Sequence, residues 1–92
     1  MANDKIKGRC FCGAVELRVT GEPSAMGYCH CKDCAAWSAT PINSYSFWGP
    51  DQIEITKGIE NIKTFSKTDH SKRKFCNQCG GHLMTEHPGS NV

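Results

Sequence analysis

Seven cysteines stand among the 92 residues of this chain, and they fall into three groups. CFCG carries Cys10 and Cys12, YCHCKDC carries Cys29, Cys31 and Cys34, and CNQCG carries Cys76 and Cys79. Thiolates are soft ligands, and four of them match the tetrahedral preference of zinc. Cys76 and Cys79 bracket a turn that aims both sulfurs at one point, and Gly80 behind them tolerates the positive φ that such turns often need. Cys10 and Cys12 converge differently: on an extended segment residues i and i+2 share a side, and Phe11 turns away. The two pairs predict a closed zinc site of Cys10, Cys12, Cys76 and Cys79. Such a site joins distant parts of the chain and removes entropy from the unfolded state. Structural zinc contributes on the order of 10–16 kcal/mol of apparent binding energy in small domains.

Cys29, Cys31 and Cys34 predict something else. Cys29 and Cys31 share a face, and Cys34 curls back from the turn that follows. Three thiolates bind zinc but leave its fourth position open, the pattern of a catalytic rather than a structural site. The cofactor expected is therefore zinc at two sites, one structural and one labile. His30 could close the second site, but an extended segment that turns Cys29 and Cys31 inward turns His30 outward. One alternative pairing stays open, in which the middle group joins CNQC and leaves Cys10, Cys12 and Cys34 as spare thiols. His70, His82 and His87 lack ligand spacing and read as surface or core residues.

The composition agrees with a metal-stabilised fold. A chain this short buries a modest share of its surface, and its hydrophobic fraction is 38%. One zinc-binding domain over residues 1–92 is expected. The formal net charge of +2 does not argue for nucleic acid. Positive charges are interspersed with Glu54, Glu60 and Asp69 instead of forming one basic face. MANDKIKGRC has no apolar signal core, and no stretch approaches a membrane span, so a cytoplasmic location without membrane partners is expected. Thiols stay reduced there, and an odd number cannot all pair as disulfides.

The elements that must position these cysteines are short strands. In AVELRVT, Val15, Leu17 and Val19 alternate with Glu16 and Arg18, which predicts a half-buried antiparallel strand over Ala14–Thr20 ended by Gly21-Glu22-Pro23. Further strands are predicted over Met26–Cys29, Asn43–Trp48, Gln52–Thr56, Ile62–Ser66, Lys72–Phe75 and His82–Glu86. Ala35-Ala36-Trp37 is read as a single helical turn. The fold class is all-β. SKRK reads as a solvated strand edge, with an anion contact as the lesser alternative. Trp37, Trp48, Tyr28 and Tyr45 read as core residues, although Trp37 is placed to wall a pocket beside the cluster.

GRCFCGAVELRVTGEP, YCHCKDCAAWSA, TKGIENIKTF and KFCNQCGGHL, in that order, resemble the glutathione-dependent formaldehyde-activating enzyme family. The domain of centromere protein V is similar. The resemblance runs from about Gly8 to His87 and includes all seven cysteines. It implies a β-tent fold of small antiparallel sheets packed around a structural zinc. It also implies Cys29, Cys31 and Cys34 as the catalytic group. The activity implied is a carbon–sulfur lyase reaction run in reverse, joining glutathione and formaldehyde as S-(hydroxymethyl)glutathione. Family domains usually continue past the segment TEHPGS, so the domain is expected to be short at its C-terminal end.

Two functions of different kind follow. In the first, an enzyme binds glutathione or another small thiol at the open zinc and adds it to a small aldehyde. Three thiolate charges make the metal a poor electrophile, which favours thiol binding over aldehyde activation. Asp33 could relay a proton but reads more simply as a solvent-facing turn residue. Lys32, Arg73 and Lys74 could meet glutathione carboxylates. In the second, the chain is a non-catalytic, zinc-stabilised protein-binding module.

Overall fold

The computed structural model describes residues 5–90 and 92. Its elements run β1 (Lys5–Arg9), β2 (Glu16–Thr20), β3 (Ala25–Cys29), α1 (Lys32–Ser38), β4 (Asn43–Phe47), β5 (Ile53–Lys57), β6 (Ile62–Thr68), β7 (Ser71–Cys76) and β8 (His82–Glu86), with single 3-10 turns after β4, β5 and β8. The strands make three small antiparallel sheets, ordered β1-β2-β5, β3-β4 and β6-β7-β8. This is the all-β, β-tent arrangement with one short helix. Among the described residues no helix is long and apolar enough to cross a membrane.

The alternation in β2 sets the first sheet. Leu17 faces Ile55 and Val19 faces Ile53 across the β2–β5 ladder. On the other face Arg18 pairs with Glu54. A bulge between Glu16 and Leu17 shifts the register where β2 approaches Gly58. Gly58 has a φ of 78°, and a Cβ there would overlap the carbonyl oxygen of Ala14, so close approach and backbone conformation both demand glycine. β1 is a strand that the sequence pattern does not announce. KIKGR offers a single large apolar side chain, Ile6, and its strand form comes from pairing with β2 along its whole length. Its lysines suit a sheet edge.

β7 lies in the middle of the third sheet, and its side chains alternate between two faces. Lys74 aligns with Thr64 on β6 and Met84 on β8, whereas Arg73 aligns with Phe65 and Thr85. Ala35-Ala36-Trp37 announces one helical turn, and the helix runs for seven residues. Cys31 caps it by accepting the backbone N–H of Cys34, and Ala39 ends it in the left-handed region at a φ of 54°. So short a helix has little stability of its own. Trp37 holds it: its ring stacks on His82 at 4.4 Å and meets Phe75 edge-on at 6.0 Å.

The sheets do not close over one another. Among the described residues only Cys10, Val15 and Cys76 are buried, with Ile55, Ile62 and Leu83 half-buried around them. The apolar faces of the first and third sheets instead line an open groove of about 1210 Å³. Two of the three buried residues are cysteines, so the centre of the fold is a cluster of sulfur.

Candidate metal centres

Cys10 and Cys76 enter similar turns. The N–H of Cys10 donates to the carbonyl of Val15 at 3.0 Å, and the N–H of Cys76 donates to that of Gly81 at 2.9 Å. Each turn thus joins two strands, β1 to β2 and β7 to β8, and each presents two thiols. In the second turn Gly80 takes a φ of 75°, the conformation its sequence position called for. The four sulfurs of Cys10, Cys12, Cys76 and Cys79 lie within 4.8 Å of one another. Cys10 and Cys12 are 3.7 Å apart at Sγ, and Cys12 and Cys76 are 3.9 Å apart. Zn–S bonds of about 2.3 Å in a tetrahedron require sulfurs roughly 3.8 Å apart, so this donor set fits zinc.

The backbone prepares these sulfurs for negative charge. Val15, Ala14, Gln78 and Gly81 each donate an N–H to one of them, at 3.3–3.4 Å to Cys10, Cys12, Cys76 and Cys79 respectively. Burial pushes the Cys10 thiol up, but the Val15 N–H and hydrogen bonds from Cys76, Cys12 and Cys79 outweigh it and bring it to about 6. The N–H groups of Cys12 and Gly81 lower Cys79. At Cys12 the Ala14 N–H pulls down, yet burial and the neighbouring thiols prevail and raise it to about 11. Four sulfurs in one place cannot all ionise unless a cation joins them.

The second cluster is local. Cys29 closes β3, Cys31 caps α1, and Cys34 lies in its first turn. Their sulfurs also lie within 4.8 Å of one another, with 3.3 Å between Cys29 and Cys31. Among the described residues no fourth His, Cys, Asp or Glu joins them, and His30 stays exposed outside the group. Cys76 and Cys79 lie with Cys10 and Cys12, not with this group. The Cys34 N–H, donated at 3.3 Å, lowers the Cys31 thiol. Cys34 itself is pushed up to about 11 by Cys31 and by burial, with the Arg73 guanidinium pulling the other way. Cys29 and Cys34 line the groove, together with Trp37 and His82. This cluster can hold a metal with one side left for a small ligand.

The structure also sorts the charged residues. Asp33 pairs with Lys67 at 3.5 Å. Lys74 pairs with Glu86 at 3.4 Å on the opposite face of β7 from Arg73, and Lys32 opens α1. Arg73 stands beside Cys34, its guanidinium 5.7 Å from the Trp37 ring centre. The stacking of His82 and Phe65 around Trp37 has no counterpart in the sequence reading. Period-two alternation in β7 places Arg73 on the face of Phe75, but it does not show that α1 docks there.

Comparison with known proteins accords with this geometry. The family model described as glutathione-dependent formaldehyde-activating enzyme matches residues 5–92. An uncharacterized lyase of Schizosaccharomyces pombe is 27% identical over 77 residues, which make up 84% of this chain and 54% of that protein. The chain therefore spans about half the length of that relative. A crystal structure of a Rhodobacter sphaeroides protein superimposes with a TM-score of 0.74 at 24% identity, covering 91% of this chain and 76% of the other, and so shares its fold. With the family model matching nearly end to end, this chain belongs to the glutathione-dependent formaldehyde-activating enzyme family.

Proposed function

We propose that the chain is a zinc-dependent enzyme of the carbon–sulfur lyase type that joins a small thiol, glutathione, to formaldehyde or a related aldehyde as S-(hydroxymethyl)glutathione. Cys10, Cys12, Cys76 and Cys79 hold a structural zinc, and Cys29, Cys31 and Cys34 hold the working one. The observation that carries this reading is the unequal pair of clusters. One offers four sulfurs, two of them on buried residues, and the other offers three, with Cys29 and Cys34 lining a groove. When bound there, zinc supplies an open coordination position and the positive charge that favours deprotonation of an incoming thiol.

The chain's own residues do the positioning. Trp37 docks α1 on the third sheet and lies three residues from Cys34, on the same side of the helix. Its packing therefore fixes where Cys34 points. The Cys34 N–H orients Cys31, and Arg73 beside Cys34 offsets the negative charge of three thiolates. Asp33 pairs with Lys67 outside the groove, which accords with a solvent-facing turn residue. The reaction balances without an oxidant: a bond forms between the thiol sulfur and the aldehyde carbon, and the aldehyde oxygen takes up the proton that the thiol gives.

Zinc analysis followed by exchange spectroscopy tests this. Protein purified without chelator should contain two zinc ions per chain. It should accelerate exchange of ¹³C-formaldehyde with glutathione, whereas Cys34→Ser should not. A single zinc that added metal does not raise, with exchange no faster than in buffer, would favour the non-catalytic binding module.

A further inference from the structure

The ribbon of β3 and β4 forms one wall of the groove, and its register sets the order of the residues along that wall. Cys29 stands opposite Asn43, Gly27 opposite Tyr45, and Ala25 opposite Phe47. Alternate pairs share a face, so these three rows lie on the same side of the ribbon. Cys29, Asn43, Tyr45 and Phe47 all line the groove. A path therefore leads from the three-cysteine cluster over Tyr45 to Phe47. At about 3.3 Å per residue, the stretch from Asn43 to Phe47 covers about 13 Å.

This path is aromatic and carries no charge. A Cβ at Gly27 would meet the Tyr45 hydroxyl at 2.9 Å, so the phenol lies across β3 where glycine leaves room for it. The rings of Tyr45 and Phe47 are 4.8 Å apart, and His87 meets Phe47 edge-on at 6.4 Å. Neither AMGYC of β3 nor NSYSF of β4 contains a charged residue. The charged residues of the groove, Lys72, Arg73, Lys74 and Glu86, all belong to the third sheet. Tyr45 is 36% exposed, and a neutral ligand laid on its ring removes apolar surface from water. Formaldehyde, with its single carbon, leaves the whole path uncovered.

We propose that the aldehyde used at this site carries an apolar substituent, and that Tyr45 and Phe47 bind the substituent and set the specificity for it. The proposal rests on the reading of Cys29, Cys31 and Cys34 as the place where thiol and aldehyde meet. With the carbonyl carbon at the cluster, an alkyl or aryl group runs along the ribbon over the two rings. The substituent is a spectator in the chemistry: sulfur bonds to the carbonyl carbon, and the thiol proton passes to the carbonyl oxygen. The path then selects medium-sized apolar aldehydes over formaldehyde by burial alone.

S-methyl-, S-butyl- and S-hexylglutathione copy the carbon skeletons of the adducts of formaldehyde, butanal and hexanal, and none has a thiol to react. Their affinities for the zinc-loaded protein are measured by calorimetry. Burial of the chain predicts a gain of about two- to fourfold for each added methylene, hence about thirtyfold or more from methyl to hexyl. Tyr45→Thr and Phe47→Val keep strand-forming side chains but remove a ring each, and either should cut that gain to about tenfold or less. Tyr45→Phe should retain it. Tighter binding of S-benzylglutathione than of the hexyl compound assigns an aryl substituent, and the reverse assigns an alkyl one. Equal affinities along the series in wild type, or none for any member, overturn the proposal, as does a gain unchanged in both Tyr45→Thr and Phe47→Val. A gain with chain length but no accelerated exchange of aldehyde with glutathione would keep the aromatic path and sink the enzymatic reading. Accelerated formaldehyde exchange with a flat series would do the reverse.

Discussion

The Sγ atoms of Cys12 and Cys76 lie 3.9 Å apart although 64 positions separate the two residues. No apolar core accounts for that closure, because only Val15 is buried with Cys10 and Cys76 among the described residues. Closing a loop of this length costs about 4 kcal/mol of chain entropy, and a metal bridging four thiolates would offset it, since structural zinc contributes on the order of 10–16 kcal/mol of apparent binding energy.

The first prediction follows from that contrast. Cys76→Ser and Cys10→Ser should leave the chain largely unfolded at 25 °C, because each removes a buried ligand that ties the first sheet to the third. Cys31→Ser should keep most of its far-ultraviolet dichroism, because its cluster lies within one stretch from β3 into α1. Thermal melts of the three variants decide the matter. Equal loss in all three would mean that both clusters are structural.

Trp37 supports the second prediction. It reaches Phe65, Phe75 and His82, all on the third sheet. Trp37→Ala should destabilise by about 2–3 kcal/mol, somewhat less than a fully buried tryptophan. It should also drop zinc content from two ions toward one, because α1 no longer holds Cys34 in place. Trp37→Phe should recover much of both. Full zinc content in Trp37→Ala would show that the cluster assembles without the docked helix.

Much of the strand pattern is legible in the sequence because it is local. The alternation of Leu17 with Val19 and of Ile53 with Ile55 announces two strands, and the two sets then face each other in register. His82–Glu86 needs no revision. β1 is not legible, since one isoleucine among lysines becomes a strand only through its pairing with β2. The helix runs longer than Ala35-Ala36-Trp37 because Cys31 caps it and Trp37 docks it, and the second of these is a tertiary contact. Grouping of thiols within each motif can be read from spacing. The company of Arg73, Trp37 and His82 cannot, because it depends on how α1 meets a sheet formed by later strands.

Gly58 yields a third prediction that is independent of metal chemistry. Gly58→Ala should cost about 2–3 kcal/mol through its positive φ and its collision with the Ala14 carbonyl. That corresponds to a melting point lower by roughly 10 °C or more for a chain of this size. Gly89→Ala is the matched control, since among the described residues nothing lies within 4 Å of a Cβ there. It should shift stability by less than about 0.5 kcal/mol. Similar melts for the two variants would show that β2 and the turn after β5 do not meet as closely as described.

The last prediction concerns the order in which the metals leave. Each sulfur of the four-cysteine cluster receives a backbone N–H, and two of the four residues are buried. The three-cysteine cluster is more exposed and has one ligand fewer. Each protein ligand raises the effective concentration of the next, so three should hold zinc less tightly than four. An open position also lets a chelator bind before any cysteine has left. Chelator should therefore remove one zinc while the dichroism of the strands persists. The second zinc should leave only as the strands melt, because the fold is the remaining barrier to its exchange. A titration followed at once by a zinc-responsive dye and by far-ultraviolet dichroism resolves the two phases. Millimolar glutathione should hasten only the first, as expected if a thiol reaches the metal at Cys29, Cys31 and Cys34. Loss of both ions in one step together with the fold would make both sites structural and remove the main support for a working zinc.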